Sequence, residues 1–185
     1  MNRILVVYET NEGQTQKIAG DIGATLRADG FEVDVVRAGE RNPNPASYQG
    51  VIVAASLRAG RYQKPVVRWL RQHVGELNQM PGTAFVSVCL AIANRNEGAR
   101  QHALAIPQQF ADSIHWHPAT IKVVAGALRY SQYNFFIRWM MKRIAAAAGG
   151  DTDTTRDYEY TDWNDLRTFS RDFAELAAQR AVAVG

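Results

Sequence analysis

Ile4-Leu5-Val6-Val7-Tyr8-Glu9-Thr10-Asn11-Glu12-Gly13-Gln14-Thr15 is the stretch whose reading decides the fold. It opens on an apolar run with no alternation, the pattern of a strand buried on both faces, as parallel strands covered by helices are. A loop of hydroxyl, amide and glycine residues follows, and then a helix whose apolar positions Ile18, Ile22 and Leu26 fall four apart. Strand, short polar loop and helix N-terminus together aim backbone N–H groups and the positive end of a helix dipole at one point, where Thr10 and Thr15 add hydroxyl donors. That is a phosphate site in outline. An ordinary capped strand-to-helix turn has the same outline, and the stretch alone leaves both readings open.

Working outward, Gly30 is placed to end the first helix as a C′ residue. Residues 31–37, with Val33, Val35 and Val36, read as a second strand, and 38–49, with two prolines, as a connection. Val51-Ile52-Val53-Ala54-Ala55 is another continuous apolar run and so another interior strand. A helix is expected from Lys64, with Pro65 in its first turn and Val66, Leu70, Val74 and Leu77 on one face, closed by Met80-Pro81-Gly82. Residues 83–89 form a fourth strand. A helix over 100–113 is weakened by Pro107 in its middle. Residues 121–125 make a fifth strand, and the last helix, 163–180, carries Leu166, Phe169, Phe173 and Leu176 behind Asp162 as N-cap. Strands alternating with helices predict an α/β fold: a doubly wound parallel sheet in a single domain over residues 1–185.

Composition agrees with an ordinary globular chain: 185 residues, 46% apolar and 21% charged. The net charge of +3 is mildly basic and admits acidic small molecules or anionic membrane surfaces as partners. The single Cys89 has no disulfide partner within the chain, and the N-terminus enters a strand without a basic-then-apolar leader. A reducing cytosol is the expectation. No run of ~18 uncharged apolar residues is present to span a bilayer.

In an open parallel sheet the ligand crevice lies at the carboxyl ends of the strands. The loops expected to meet there are 10–15, 56–62, 89–94 and 126–130. No G-x-G-x-x-G follows the first strand and no G-x-x-x-x-G-K-[ST] occurs, so neither a dinucleotide nor a nucleoside triphosphate is indicated. The first loop, Thr10-Asn11-Glu12-Gly13-Gln14-Thr15, resembles the FMN phosphate loop [ST]-x-T-G-x-T of flavodoxin-like proteins, except that Glu12 stands where a threonine is usual.

An acidic residue at that position is a feature of one branch, the menaquinone-dependent protoporphyrinogen IX oxidase family. The chain resembles it again at Ala55-Ser56-Leu57-Arg58-Ala59-Gly60-Arg61-Tyr62, at Ala125-Gly126-Ala127-Leu128-Arg129-Tyr130, and at Gly149-Gly150-Asp151-Thr152-Asp153-Thr154 followed by Tyr160-Thr161-Asp162-Trp163. The loop over 89–100 matches that family poorly.

This resemblance implies a flavodoxin-like sheet of order 2-1-3-4-5 and FMN as cofactor. Thr10, Asn11, Glu12, Gly13, Gln14 and Thr15 would hold its phosphate. Ser56, Leu57, Arg58, Ala59, Gly60 and Tyr62, with Ser87, Val88, Cys89, Leu90 and Ala91, would flank the ring, and Gly126, Ala127, Leu128 and Arg129 would complete the site. Small residues there allow close approach, so many contacts would come from backbone groups. The implied activity is FMN-dependent oxidation of protoporphyrinogen IX to protoporphyrin IX with a membrane quinone, menaquinone or ubiquinone, as acceptor. No proton-accepting residue is identifiable.

Residues 128–161 exceed the usual ~2–6 residue connection and read as an insertion associated with strand five. Within it, 133–148 has strong helix formers; Phe136, Ile137, Met140, Met141 and Ile144 form one apolar arc with Arg138 and Lys142 opposite. Phe135 and Trp139 lie beside those cations, a mixture suited to a lipid headgroup boundary. A helix that merely covers the sheet has the same pattern. With Arg61 and Tyr130, the residues Phe135, Arg138, Trp139 and Lys142 are the substrate and membrane candidates, and Arg58, Arg61, Arg129, Arg138 and Lys142 are placed to meet propionates. The expected location is cytoplasmic, peripheral to the inner face of the membrane, with a homo-oligomer left open.

Other chemistry is set aside. His115-Trp116-His117 could present two imidazoles from one strand face, but no further ligand accompanies them at metal spacing, and no metal is expected. Cys89 lacks a resolving cysteine and a base. Ser56 lacks the G-x-S-x-G elbow. A receiver module needs an aspartate at the end of strand three, where Ala55-Ser56 stands. The basic residues are scattered, with no nucleic-acid reading motif. Two alternatives survive: a flavodoxin-like quinone or electron-transfer reductase with another donor, and a non-enzymatic interaction module.

Overall fold

The computed structural model describes residues 2–93, 97–128, 131, 146 and 153–182. Its elements run β1 (Arg3–Glu9), α1 (Gln14–Ala28), β2 (Glu32–Arg37), β3 (Gly50–Ser56), α2 (Lys64–Gln79), β4 (Thr83–Val88), α3 (Glu97–Ser113), β5 (Thr120–Val124), β6 (Ala127–Leu128), β7 (Tyr158–Glu159) and α4 (Trp163–Val182). β1 to β5 form a five-stranded parallel sheet of order β2-β1-β3-β4-β5, the predicted one. The strand order reverses between β1 and β3, which opens a crevice at their carboxyl ends.

The unbroken apolar runs follow from this layering, because successive side chains on a strand point to opposite faces. Ile4, Val6 and Tyr8 join Ile52 and Ala54 under α1 and α4, with Ile18, Ile22, Leu26, Leu166 and Phe173. Leu5 and Val7 join Val51, Val53 and Phe85 under α2 and α3, with Val66, Trp69, Leu70 and Ala111. Neither face of β1 reaches water, which is why its sequence does not alternate.

Helix ends follow local chemistry. Gly30, at φ +90°, closes α1: its N–H bonds the Arg27 carbonyl while Phe31 N–H reaches the Leu26 carbonyl, the paired bonds of a Schellman motif. Asp162 Oδ1 accepts from the N–H groups of Asn164 and Asp165, both at 3.0 Å, and so caps α4.

Three local expectations are corrected. α3 begins at Glu97, earlier than expected, and continues through Pro107. Proline removes the bond to the Ala103 carbonyl and costs about 3 kcal/mol, but Ala103, Pro107 and Ala111 are buried in a row that anchors both halves of the helix. The buried face of α2 is wider than its four-apart pattern, with Trp69 and His73 inside and Val74 only half-buried. Burial lowers the His73 pKa, and its Nε2 meets Asn42 Oδ1 at 3.0 Å. Finally, His115, Trp116 and His117 form the turn after α3, not a strand. Trp116 is fully buried, and the two histidines are exposed. Among the described residues no cluster of three or more His, Cys, Asp or Glu is placed to hold a metal ion.

Candidate functional site

The first loop is fixed from both ends. Glu9, at the end of β1, is buried; it accepts from Thr10 N–H at 3.0 Å and from Arg37 Nε at 3.0 Å. Arg37, the last residue of the neighbouring β2, also reaches the Thr10 carbonyl at 3.3 Å. Gly13 N–H then donates to Thr10 Oγ1 at 2.9 Å and closes the turn. Gly13 itself precedes α1 at φ +84°, a conformation that favours glycine. Glu9 and Arg37 were not among the expected site residues, and no spacing rule links them; they meet because β1 and β2 are neighbours.

The first turn of α1 has no side-chain cap and no acidic residue. Its leading N–H groups lack intrahelical acceptors and face the loop with the positive end of the dipole. Thr15 is fully buried there, and its Oγ1 has no hydrogen-bond partner. A buried hydroxyl without a partner costs about 1–3 kcal/mol. An anion seated at the helix N-terminus would remove that cost, so these residues fit a phosphate group, and with it the phosphate of FMN.

The second loop is a small hairpin. Arg58 and Arg61 exchange both backbone bonds at 3.0 Å across Ala59 (φ +48°) and Gly60 (φ +73°), the two positive φ values of a type I′ turn. Arg58 Nη1 lies 3.7 Å from Glu12 Oε1, so the hairpin leans on the phosphate loop. The base of the hairpin is also pinned: the Gln63 side-chain amide donates to Ser56 Oγ, and Tyr62 and Ser87 share a buried 2.8 Å hydroxyl contact. Burial pushes the Tyr62 phenol well above its ordinary value, against a smaller opposing effect of the Ser87 hydrogen bond. It stays neutral.

The third and fourth loops join through the sheet. Leu57 N–H bonds the Val88 carbonyl at 2.8 Å, and Cys89 N–H bonds the Val124 carbonyl at 2.9 Å. Cys89 is buried, and burial raises its thiol pKa against backbone hydrogen bonds from Ala91 and Ile92. It behaves as a packing residue. Leu90 is half-buried and Ala91 exposed in the short 3-10 turn that follows. Gly126 lies against Val88 and Leu90.

Beyond β5 the chain turns out into the antiparallel ribbon β6–β7, with Ala127 opposite Glu159 and Leu128 opposite Tyr158. Ser131 and Asp157 extend the contact at 2.9 and 2.7 Å. The returning strand docks on α1. Thr161 Oγ1 donates to the Ala125 carbonyl at 2.7 Å and accepts from Gln14 Nε2 at 2.9 Å. Glu159 meets Lys17 Nζ at 2.7 Å and accepts from Trp163 Nε1 at 2.7 Å. The sequence Tyr160-Thr161-Asp162-Trp163 is thereby explained as a joint: a bridge to β5, a helix cap and a carboxylate holder.

The described residues of all four expected loops therefore follow strands at the carboxyl edge of the sheet. Arg129, Tyr130, Phe135, Arg138, Trp139, Lys142 and the expected helix over 133–148 lie outside the described residues. So do residues 94–96, which include the end of the third loop. Among the described residues no helix is long and apolar enough to cross a membrane.

A doubly wound sheet of this order, with a hydroxyl-bearing helix N-terminus at its switch point, defines a flavodoxin-like protein. A flavodoxin-domain family model matches residues 5–155. The chain is 34% identical over 175 residues to the protoporphyrinogen IX dehydrogenase [quinone] of Escherichia coli K12, covering 94% of this chain and 96% of that one. It is 36% identical over 177 residues to the Leishmania major protein of the same name, covering 94% and 75%. Flavodoxin 2 of Bacillus cereus, at 15% identity and a TM-score of 0.57 over 94% of this chain and 98% of that one, shares the fold. The chain belongs to the flavodoxin-domain family of quinone-dependent protoporphyrinogen IX dehydrogenases.

Proposed function

We propose that the chain oxidises protoporphyrinogen IX to protoporphyrin IX, with FMN as its cofactor and a membrane quinone, menaquinone or ubiquinone, as acceptor. The likeness in sequence to the two dehydrogenases supports the reaction. The observation that carries the site is the buried, unpartnered Thr15 hydroxyl in an uncapped helix N-terminus.

FMN, when bound, would supply the redox chemistry, taking electron pairs from the porphyrinogen and passing them to the quinone. The protein's part is binding and orientation. Residues 10–15 hold the phosphate by backbone N–H groups and the hydroxyl of Thr15, and Arg37 keeps the loop's first residue in place. The 56–62 hairpin and residues 87–91 would flank the ring, and residues 126–129 would complete the site. The protonated Cys89 and the neutral Tyr62 add no charge beside the ring. Residues 128–161, as an insertion, would carry the surface for the apolar, propionate-bearing substrate and for the membrane face where quinone is reached.

The test is anaerobic. Purified chain reconstituted with FMN should show flavin absorbance, and porphyrin fluorescence should appear from protoporphyrinogen IX only when menaquinone is added. Flavin binding without porphyrin formation would leave the cofactor and reject the substrate. Absence of flavin binding would reject the site.

A further inference from the structure

From Arg41 to Gly75 the chain carries six basic residues and no Asp or Glu. Folding turns part of that run into a surface. Arg61 stands in the 56–62 hairpin, and Lys64, Arg68 and Arg71 follow on α2 at spacings of four and three. At about 100° per residue these three fall within one narrow arc, opposite the face that buries Val66, Leu70, His73 and Leu77. All four cations are exposed, and among the described residues none of their side chains takes part in an ion pair. Elsewhere the pattern differs: Arg3, Lys17, Arg37, Lys122 and Arg167 each hold a carboxylate. On α2 itself the first carboxylate is Glu76, more than a turn beyond Arg71. In the connection before β3, Glu40 is already beside Arg37 at 3.7 Å.

We propose that the outer face of α2, headed by Arg61, is a docking surface for a bilayer containing anionic phospholipid. Its chemistry is charge alone. The exposed residues that share the arc, Gln72 and Gly75, offer no aromatic or aliphatic anchor, whereas the aromatic residue of α2, Trp69, is buried in the core. A protein partner is gripped through such anchors, and a single-stranded nucleic acid through exposed aromatic platforms. A lipid surface asks for neither, since its negative charge is spread over many headgroups and is met by a row of unpaired cations. The row begins at the hairpin beside the phosphate loop and runs about 10 Å along the helix, so α2 lying on the surface brings the crevice mouth to the headgroups. A lipid-soluble acceptor requires that orientation, and in this respect the inference rests on the quinone reading. The docking itself needs neither flavin nor quinone, and it assigns membrane contact to the sheet domain rather than to residues 128–161.

The test is co-sedimentation of the full chain with vesicles of phosphatidylcholine, alone and mixed with phosphatidylglycerol. The wild type should bind the mixed vesicles, bind the neutral ones weakly, and be released by salt. A cation near an anionic surface strengthens partitioning by about fivefold, so the triple variant Lys64→Gln/Arg68→Gln/Arg71→Gln should bind about a hundredfold more weakly. Arg171→Gln, which removes an exposed cation from α4 on the other side of the sheet, should change binding by no more than about twofold. Thermal melts of the variants should match the wild type, because the three side chains hold no ion pair. A wild type that ignores the mixed vesicles, or binds both kinds equally, overturns the inference. So does binding that survives the triple substitution but is lost on Arg138→Gln/Lys142→Gln, which would move the contact to the insertion. No flavin or porphyrin signal enters this assay, so its failure leaves the dehydrogenase reading in place, and failure of porphyrin formation leaves the vesicle result in place.

Discussion

Gln14 and Thr161, 147 positions apart in sequence, share a buried hydrogen bond of 2.9 Å between Nε2 and Oγ1. Because Thr161 uses its own proton on the Ala125 carbonyl at 2.7 Å, its lone pair is turned toward Gln14. The first residue of the phosphate-site helix is thereby tied to the end of β5 through a single hydroxyl.

Thr161→Val should therefore destabilise the protein by about 1–3 kcal/mol, since it removes the acceptor of this Gln14 bond and the donor to the Ala125 carbonyl. Thr161→Ser keeps the hydroxyl and should recover most of the loss. Urea denaturation of the three proteins measures both. A loss for serine with little loss for valine, which keeps the methyl group, would show that packing of the methyl, not the hydrogen bonds, holds the joint.

Thr15→Val should move stability and binding in opposite directions. In the flavin-free protein it replaces a buried unpartnered hydroxyl by a methyl of similar volume, and stability should stay level or rise by up to about 1 kcal/mol. FMN affinity should fall by about tenfold, the loss of one hydrogen bond to a charged group. Denaturation and flavin titration are the two readouts, and a loss of stability would mean that the hydroxyl already has a partner.

Two glycines on α1 predict opposite signs for the same change. A Cβ at Gly20 would meet nothing within 4 Å, so Gly20→Ala should stabilise by about 0.5–1 kcal/mol through helix propensity. A Cβ at Gly23 would lie 2.6 Å from Val35 Cγ2, so Gly23→Ala must push α1 off β2 and should destabilise by about 1–3 kcal/mol. Thermal denaturation separates the pair.

The pH dependence is centred on Glu159. Burial alone would raise its pKa, but hydrogen bonds from Lys17 and Trp163 outweigh burial and lower it. A carboxylate whose folded pKa is depressed adds stability above its unfolded value, about 4.3, and loses it as pH falls through the lower folded value. The wild type should thus be more stable than Glu159→Gln at neutral pH, with the gap closing as pH drops below about 4. Denaturation midpoints at a series of pH values follow the gap; one that stayed constant would place the effect in packing.

What could be read from sequence was local. The unbroken runs at residues 4–8 and 51–55 announced strands covered on both faces, the hydroxyl-rich loop announced an anion site, and Asp162 and Gly30 announced helix ends, because each signal lies within a few residues of its cause. Contacts created by the sheet order were not legible. Glu12 finds Arg58, Glu9 finds Arg37 and Gln14 finds Thr161 only after β1, β2, β3 and β5 are laid side by side. Pro107 misleads for a related reason: its local cost is real, and the burial of Ala103, Pro107 and Ala111 that outweighs it depends on how α3 packs on the assembled sheet.

The ribbon β6–β7 has a consequence for how this architecture can change. With Leu128 opposite Tyr158, the two ends of the long segment between them stand about 5 Å apart, a gap that a two-residue turn closes. Replacing residues 129–157 by Asn-Gly should preserve the parallel sheet and the Gln14–Thr161 joint, because both are built from residues on either side of the ribbon.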